Sequence, residues 1–358
     1  MRFPSVPAEP TKDDAGRALE MLKEVFSEFP FVDDCDRSAA LAATLTSVVR
    51  PSLRTAPMFA TRATDMATGK GLISDILSLV GTGFVSPAMS QARNPEEERK
   101  RITANLVRCT PVARIDNCDR PLDSAELCIV LTEEIWSDRL LGSTKQVNLP
   151  TRVLWLVNGN NLVIGGDLTT RTVICDIDAK MENPGKREFK IKDLRGYVRE
   201  HRADLVVAAL TIMRAYVTAG SPAQGTSVFG RFEHWDARVR APLIWLDQAD
   251  PCRGAERLTL AGGSYGQLRA VLPAWQDCFQ SRPMAVREVI EGVSTSFNPA
   301  MMALRDTLAE VAQDGAAGLN TRKLGNWLGK QQGKIIGGLK FTPATMQRGI
   351  ARWTVVSA

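Results

Sequence analysis

The chain has 358 residues, 44% apolar and 24% charged, a composition typical of folded globular proteins rather than disordered ones. Its 45 Lys and Arg residues exceed its 40 Asp and Glu residues by only five, which permits a nucleic-acid partner without demanding one. The seven cysteines form no CxxC pair, the two histidines share no metal spacing, and no apolar run reaches the ~20 residues of a membrane span.

These features argue against a zinc ribbon, histidine-based catalysis and an integral membrane protein. The odd number of scattered cysteines and the lack of a secretory signal favour a reducing, cytoplasmic environment.

Two helices are predicted at the start of the chain. Thr11 is a suitable N-cap for the first, which ends at Pro30, and the second runs from about Asp36 to Val49. We assign residues 1–55 to an N-terminal helical segment with a packing role.

A short strand, Pro57–Ala60, leads into the turn Thr64–Gly71 and then into a helix that ends near Gly81. Strand, small-residue turn, Gly-Lys and helix form the context of a P-loop, in which backbone N–H groups at a helix N-terminus hold phosphate oxygens. Lys70 would contact the β- and γ-phosphates of ATP. The other candidate nucleotide contacts are Thr64, Ala67, Thr68, Gly69, Gly71 and Leu72.

Two departures weaken this motif. Thr64 stands at the usual first glycine, and Gly71 stands where Ser or Thr would ligate Mg²⁺. The metal must then rely on water or on another oxygen. The alternative is an ordinary strand-to-helix turn with a solvated lysine, and the Gly-Lys pair alone would favour it.

An acid at the end of the next predicted strand is the candidate Mg²⁺ ligand. Asp116 is the acid at the end of the strand predicted within Thr110–Asn117. It lies about 45 residues beyond Lys70, where a Walker B acid would stand. Asn117 occupies the position of the glutamate that polarises the attacking water, with Asp119 and Glu126 as candidate substitutes. The alternative is an acid at an ordinary strand end.

A run of amides follows the predicted buried strand Arg152–Val157. In Asn158-Gly159-Asn160-Asn161, Asn160 is the candidate sensor that orients water near the γ-phosphate, and Asn161 is a candidate nucleotide contact. The alternative is a tight turn, because Asn-Gly is a strong turn signal.

Arg171, at the end of Gly166–Arg171, is a candidate arginine finger that would reach the γ-phosphate of a neighbouring subunit. Such a residue is worth about 10³–10⁵ in rate. The alternative is a surface ion pair with Asp167, and Arg139 is a second candidate.

Alternating strands and helices over residues 56–192 predict an α/β core with a parallel-type sheet. Helical spacing dominates residues 193–314, which we interpret as a lid subdomain. In residues 315–358, a helix at about 321–328 and strands at Lys334–Leu339 and Gly349–Val356 predict a winged-helix-like segment.

Two regions are candidate DNA contacts. Between residues 136 and 150 two short strands surround the tip Gly142–Lys145, where Lys145 could follow a phosphate backbone. From Thr321 onward the chain has no acid and seven cations: Arg322, Lys323, Lys330, Lys334, Lys340, Arg348 and Arg352. The alternative in both regions is solvated surface charge.

With these elements in this order, the chain resembles the AAA+ ATPases. It is most similar to the helicase-like C-terminal halves of primase–helicase proteins of phages, plasmids and integrated elements. The segments that carry the resemblance are Phe29–Asp33, Arg50–Pro57, Asp116–Leu122, Gly159–Asn161 and Gly166–Arg171.

The resemblance implies an ATP- and Mg²⁺-dependent ring, usually a hexamer, that acts on DNA through a pore hairpin and a C-terminal winged helix. It also implies a primase or initiator partner, and that the chain is a fragment or one product of a split gene. Thr170 replaces the Arg that usually precedes the finger, and Gly71 replaces a frequent Ser, so nucleotide binding is better supported than hydrolysis.

We therefore expect a DNA helicase or translocase that acts in replication of a mobile genetic element. One alternative is a nucleotide-binding initiator or helicase loader with weak or no hydrolysis. The other is a non-enzymatic DNA-binding module with a decayed P-loop.

Overall fold

The computed structural model describes residues 3–140, 142, 144–261, 263–315, 318–347 and 350–358. Of residues 256, 259–261, 263–265, 347 and 350 it describes the backbone alone. The chain divides into two compact units between Leu258 and Thr259. The boundaries proposed from sequence at 192/193 and 314/315 fall inside these units.

A five-stranded parallel sheet forms the centre of the first unit. Its strands are β1 (Met58–Ala63), β2 (Ala88–Ser90), β3 (Val112–Asp116), β6 (Leu154–Asn160) and β7 (Thr172–Ile177). They lie in the order β2-β3-β6-β1-β7. An antiparallel hairpin, β4 (Ile135–Arg139) and β5 (Gln146–Pro150), is inserted between β3 and β6. The four longer strands are almost entirely buried, as expected for a parallel sheet covered by helices.

Ten α-helices begin within the described residues of the first unit. They are α1 (Lys12–Val25), α2 (Asp34–Val49), α3 (Lys70–Thr82), α4 (Pro95–Val107), α5 (Ala125–Thr132), α6 (Leu194–Glu200), α7 (Arg202–Thr218), α8 (Glu233–Trp235), α9 (Ala241–Trp245) and α10 (Gly254–Ala261). The sequence-based prediction of Thr11 as the N-cap of the first helix is confirmed, because its side chain accepts from the Asp14 N–H.

The second unit is a small helical domain with a three-stranded antiparallel sheet. Its elements are α11 (Gly263–Phe279), β8 (Met284–Ala285), α12 (Val286–Thr295), α13 (Pro299–Ala312), α14 (Thr321–Gln331), β9 (Leu339–Gln347) and β10 (Ile350–Ser357), and its strand order is β8-β10-β9. Its core is centred on Trp275 and Phe341, whose rings meet edge to face with centroids 5.1 Å apart.

Three sequence-based element predictions need correction. The strand predicted at Lys334–Leu339 is wrong, because Gly337 and Gly338 take φ values of 59° and 75° and turn the chain before β9 begins. The helix predicted from Leu122 to Ile135 is limited to α5. Strand β2 was missed because three residues carry too little periodicity to detect. Arg348 lies outside the described residues.

Among the described residues, no helix combines the length and apolar character that crossing a bilayer requires.

A buried ionic cluster ties α2 and α10 to the sheet. Asp36, whose side chain is fully buried, accepts the backbone N–H of Asp176 at 2.8 Å and pairs with the guanidinium of Arg257. Asp176 in turn binds Arg62, on β1, at 2.7 Å. Because an uncompensated charge here would be costly, the cluster fixes the N-terminus of α2 at the carboxyl ends of β1 and β7.

We expect Asp36→Ala to lower the free energy of unfolding by about 3–5 kcal/mol, because it leaves the buried polar atoms of Arg257 and Asp176 without their hydrogen-bond partner. Chemical denaturation measures this. Asp34→Ala, which removes an exposed acid two residues earlier, is the matched control and should cost far less. Equal losses in the two variants would contradict a special role for the cluster.

Candidate nucleotide-binding site

The carboxyl ends of the parallel strands bring the main candidate residues to one edge of the sheet. Ala63, at the end of β1, pairs in register with Asn160 of β6 and with Ile177 of β7, and Asp116 is the last residue of β3. Ligands of open α/β sheets bind beyond this edge. The turn after β1, Asp116 and Asn160 therefore share the location at which a ligand is expected.

The turn between β1 and α3 has backbone features that would favour a bound phosphate. Ala67 and Gly69 have φ values of 57° and 108°, and α3 begins at Lys70 without a side-chain cap. Uncapped N–H groups at a helix N-terminus favour an anion. A Cβ at Gly69 would lie 3.1 Å from the Phe29 ring, whereas one at Gly71 would meet nothing within 4 Å.

Lys70 is half-buried at this turn. Its Nζ donates to the Asp65 carbonyl oxygen at 2.7 Å and to Thr68 Oγ1 at 3.2 Å. Burial lowers the pKa of Lys70, and the negative charges of Asp116 and Asp65 oppose this effect. The ammonium group is thus held over the turn within the field of the candidate metal ligand.

Asp116 offers a partly exposed carboxylate to a divalent cation. One oxygen accepts the backbone N–H of Asn117 at 2.9 Å, and the other lies 3.5 Å from Arg114 Nη2. Mg²⁺ is commonly held by one or two carboxylates together with water and substrate phosphates. Asp116 beside a phosphate loop fits that requirement.

No side chain close to Gly71 in sequence supplies the missing hydroxyl. Ser74 Oγ donates to Asn158 Oδ1 at 3.1 Å in the buried interface between α3 and β6. Asp75 pairs with Arg114 and Arg195. Both side chains hold α3 in place, so a metal ion bound here would depend on Asp116, water and phosphate oxygens.

The Asn158-Gly159 pair does not form the tight turn that was the alternative interpretation, and the chain turns only at Asn161, whose φ is 47°. Asn158 and Gly159 both lie within β6, where a Cβ on Gly159 would come within 2.6 Å of the Cys118 carbonyl oxygen. The glycine is therefore required by close backbone approach. Asn160 is exposed at the strand end, and Asn161 donates its N–H to the Ala63 carbonyl oxygen at 2.9 Å.

Asn161 and Thr64 also line a cavity of about 350 Å³ at the ends of β1, β6 and β7. Both residues, which the sequence predicted as nucleotide contacts, therefore lie at the carboxyl ends of the strands, where the turn after β1 begins.

Arg171 lies at the opposite edge. It precedes β7, whose first residue pairs with Met58 at the start of β1, so a strand length of roughly 17 Å separates it from the carboxyl ends. Its Nη1 donates to the Asp167 carbonyl oxygen at 2.7 Å and lies 3.5 Å from the Asp167 carboxylate. The ion pair of the alternative interpretation is present, and Arg171 does not belong to the site of its own chain.

A cavity of about 330 Å³ adjoins the other side of the turn. It is lined by the turn residues Ala67, Thr68 and Gly69, together with Phe29, Leu72 and Phe189. Charged side chains such as Glu28 and Arg195 also line it. Its volume and its mixed apolar and charged walls suit a small organic ligand. The sequence predicted Leu72 and the turn residues as nucleotide contacts. No motif or periodicity in the sequence indicated Phe189.

The segment that forms one wall of this cavity is tethered to the end of α1. Glu28 accepts the backbone N–H groups of Lys190 and Ile191 at 2.9 and 3.2 Å. The bond from Lys190 contributes most to lowering the pKa of Glu28, whose ionised form it stabilises. Arg187 also donates to the Glu28 carbonyl oxygen. The wall is therefore held in place without a ligand.

The predicted hairpin is present, with Arg139 and Lys145 exposed near its tip, of which Leu141 and Ser143 lie outside the described residues. It is anchored to α4: Asp138 pairs with Arg99, and the Trp136 indole donates to Thr103 Oγ1 at 2.9 Å. The base of the hairpin is therefore held against α4.

The predicted DNA contacts after Thr321 differ in their surroundings. Arg322, Asn326 and Lys330 recur every four residues on the exposed face of α14. Lys323 binds Asp314 at 2.9 Å, and Lys334 binds Gln331 Oε1 at 3.0 Å.

Lys340 lies half-buried on β9. Arg352, also considered from sequence, pairs with Glu288. The face of α14 is thus the most accessible of the predicted cationic positions.

Charge is divided unevenly between the two units. Residues 259–358 contain eleven Lys and Arg and six Asp and Glu, so they carry the whole net charge of +5, while the residues before them are balanced. A polyanionic partner would therefore be attracted to the second unit.

No protein-family model matches the chain, and no curated protein matches it significantly. Among solved structures, two apo A-form structures of the NrS-1 C-terminal region align with it. One is 12% identical, covers 100% of this chain and 79% of its own and has a TM-score of 0.41. The other, spanning 305–718, is 13% identical, with 98% and 76% covered and a TM-score of 0.45.

A JCV helicase aligns at 10% identity over 70% of this chain and 73% of its own, with a TM-score of 0.26. Likenesses of this size carry no argument about activity.

We expect Gly69→Ala to weaken ATP binding by at least about tenfold, because a side chain at φ 108° is strained and its Cβ approaches Phe29. Gly71→Ala is the matched control, since its Cβ has open space, and should bind ATP nearly as the wild type does. Calorimetric titration measures both affinities. Equal affinities in the two variants would contradict a role for the turn.

Proposed function

We propose that the first unit binds ATP with Mg²⁺ at the carboxyl edge of its sheet and hydrolyses it. The observation that carries this proposal is that Lys70 lies within the electrostatic reach of Asp116, while Asn160 pairs with Ala63 at the same strand ends and a cavity of about 330 Å³ adjoins the turn. The turn with Lys70 suits phosphate, Asp116 suits a cation, and the cavity suits a base and sugar.

Each residue then has a distinct task. The N–H groups of the turn and the Lys70 ammonium would hold the phosphates, and Asp116 would hold Mg²⁺, which would supply neutralisation of phosphate charge. Asn160 would orient the attacking water through its exposed amide. Gly71 offers only backbone and so would leave the metal to Asp116, water and phosphate.

Arg171 supports an oligomer in this proposal. Arg171, at the amino edge of the sheet, is distant from the site of its own chain, and 19% of its side chain is exposed. We propose that it stabilises the γ-phosphate of that neighbour, in the hexameric AAA+ ring that the resemblance implies. Release from Asp167 would be a condition for this role.

DNA is the proposed partner of the second unit and of the hairpin. The net charge of residues 259–358, the exposed α14 face and the cations at the hairpin tip all suit a phosphate backbone. We propose a DNA helicase or translocase acting in replication of a mobile genetic element, with α14 and the β9–β10 hairpin as a winged-helix-like DNA-binding element. A primase or initiator would be a further partner.

A second candidate function is a nucleotide-dependent initiator or helicase loader with weak hydrolysis. It is favoured by the absence of a hydroxyl at Gly71, by the engagement of Ser74 and Asp75 elsewhere, and by Asn117 in place of an acid. A DNA-binding module with a decayed P-loop is less well supported, because the turn keeps its phosphate-binding backbone.

We expect Lys70→Ala to reduce DNA-stimulated ATP hydrolysis by roughly 100-fold or more, because the transition-state charge loses its cation. Steady-state phosphate release measures this, with Lys100→Ala on the surface of α4 as control. Wild-type hydrolysis by Lys70→Ala would exclude the proposed site. A wild type that binds ATP but neither hydrolyses it nor displaces a strand on forked duplex DNA would favour the loader.

We expect Arg322→Ala/Lys330→Ala to weaken DNA binding regardless of sequence and to reduce the slope of log K against log salt by about two, one for each lost phosphate contact. Lys323→Ala on the same helix is the control, because its ammonium is already held by Asp314. Fluorescence anisotropy over a salt series measures the slopes. An unchanged slope in the double variant would contradict DNA contact by α14.

A further inference from the structure

A buried carboxylate on the helix that follows the phosphate loop has no task in the proposed reaction. Asp75 lies on α3, five residues after Lys70, and its side chain is only 8% exposed. Two arginines share it: Arg114 from β3 and Arg195 from α6, whose Nε donates at 2.7 Å. The carboxylate therefore divides its charge between two partners.

Arg114 connects this carboxylate to the candidate metal ligand. It precedes Asp116 by two positions on β3, so both side chains point to the same face of the sheet. Its Nη1 donates to Asp75 and to the Ser86 carbonyl oxygen, the latter at 3.2 Å, while its Nη2 lies 3.5 Å from Asp116. The last distance is longer than a good hydrogen bond, so Arg114 is held mainly by Asp75.

We propose that Arg114 is a positioning residue that competes with the divalent cation for Asp116, and that Asp75 limits this competition by drawing the guanidinium away. The inference rests on the proposed function, in which Asp116 is the metal ligand. A cation at Asp116 and the guanidinium of Arg114 repel each other. The arginine can give up Asp116 because Asp75 and Ser86 still satisfy it.

Arg195 extends this control to the cavity. Its side chain is 49% exposed, it lines the cavity of about 330 Å³, and it is the second partner of Asp75. A ligand in the cavity that attracts Arg195 leaves more of the Asp75 charge for Arg114, which weakens the hold of Arg114 on Asp116. Occupation of the cavity and metal binding are thereby coupled through one carboxylate.

The test measures how strongly Mg²⁺ and nucleotide favour each other's binding. The affinity for a fluorescent ATP analogue is measured once in the presence of Mg²⁺ and once in EDTA. The ratio of these two affinities is the metal coupling. No turnover is needed for this readout. Asp116→Asn should abolish the coupling while leaving metal-free nucleotide binding in place.

Arg114→Met should raise the coupling by roughly fivefold or more, because the competing charge is gone. Asp75→Asn should lower it, because Arg114 then turns to Asp116. Arg195→Met should leave it unchanged or raise it, because Asp75 is then left to Arg114 alone. A merely structural role would lower the coupling in all three variants.

The inference is overturned if Arg114→Met lowers the coupling or leaves it unchanged, or if Asp75→Asn fails to lower it. Arg114→Met keeps Asp75 paired with Arg195, and circular dichroism checks its fold. Should it not fold, the other two variants decide: the coupling should fall in Asp75→Asn and should not fall in Arg195→Met. If the wild type does not bind the analogue, or Asp116→Asn keeps the coupling, the proposed function itself fails.

Discussion

The parallel hydrogen bonding of β1 to β6 on one side and β7 on the other is the constraint on which the site depends. It fixes where the chain leaves β1, and therefore where the turn and the N-terminus of α3 lie. Since β3 is parallel to β6, Asp116 emerges at the same edge. A shift of one residue in either register would move the strand ends by about 3.3 Å and separate the groups that meet one phosphate chain in the proposed function.

Buried ion pairs stabilise this arrangement at two places. Asp36 and Arg257 fix α2 at the ends of β1 and β7, and Asp75 with Arg114 fixes α3 against β3. Burying charges is costly unless they are paired, so these clusters specify geometry more than they add stability. The second cluster also reaches Asp116, which makes it part of the electrostatics of the site.

The two units have different electrostatic characters. The first is balanced overall and places charged side chains, among them Lys70 and Asp116, at the carboxyl ends of its strands, which suits a small polyphosphate ligand. The second carries the net positive charge and exposes part of it on one helix face, which suits an extended polyanion. This division supports a nucleotide-dependent protein that acts on nucleic acid.

The sequence by itself determined the α/β character of the first unit, the strand–turn–helix around Lys70 and the strand ending at Asp116, because these depend on local periodicity and turn chemistry. It misplaced the strand before Leu339, where two glycines in the left-handed region turn the chain. Only the tertiary structure decided that Phe29 and Phe189 line one cavity, that Ser74 is occupied by Asn158, and that Arg171 lies at the far edge. Those facts depend on contacts between residues far apart in the chain, which local patterns do not encode.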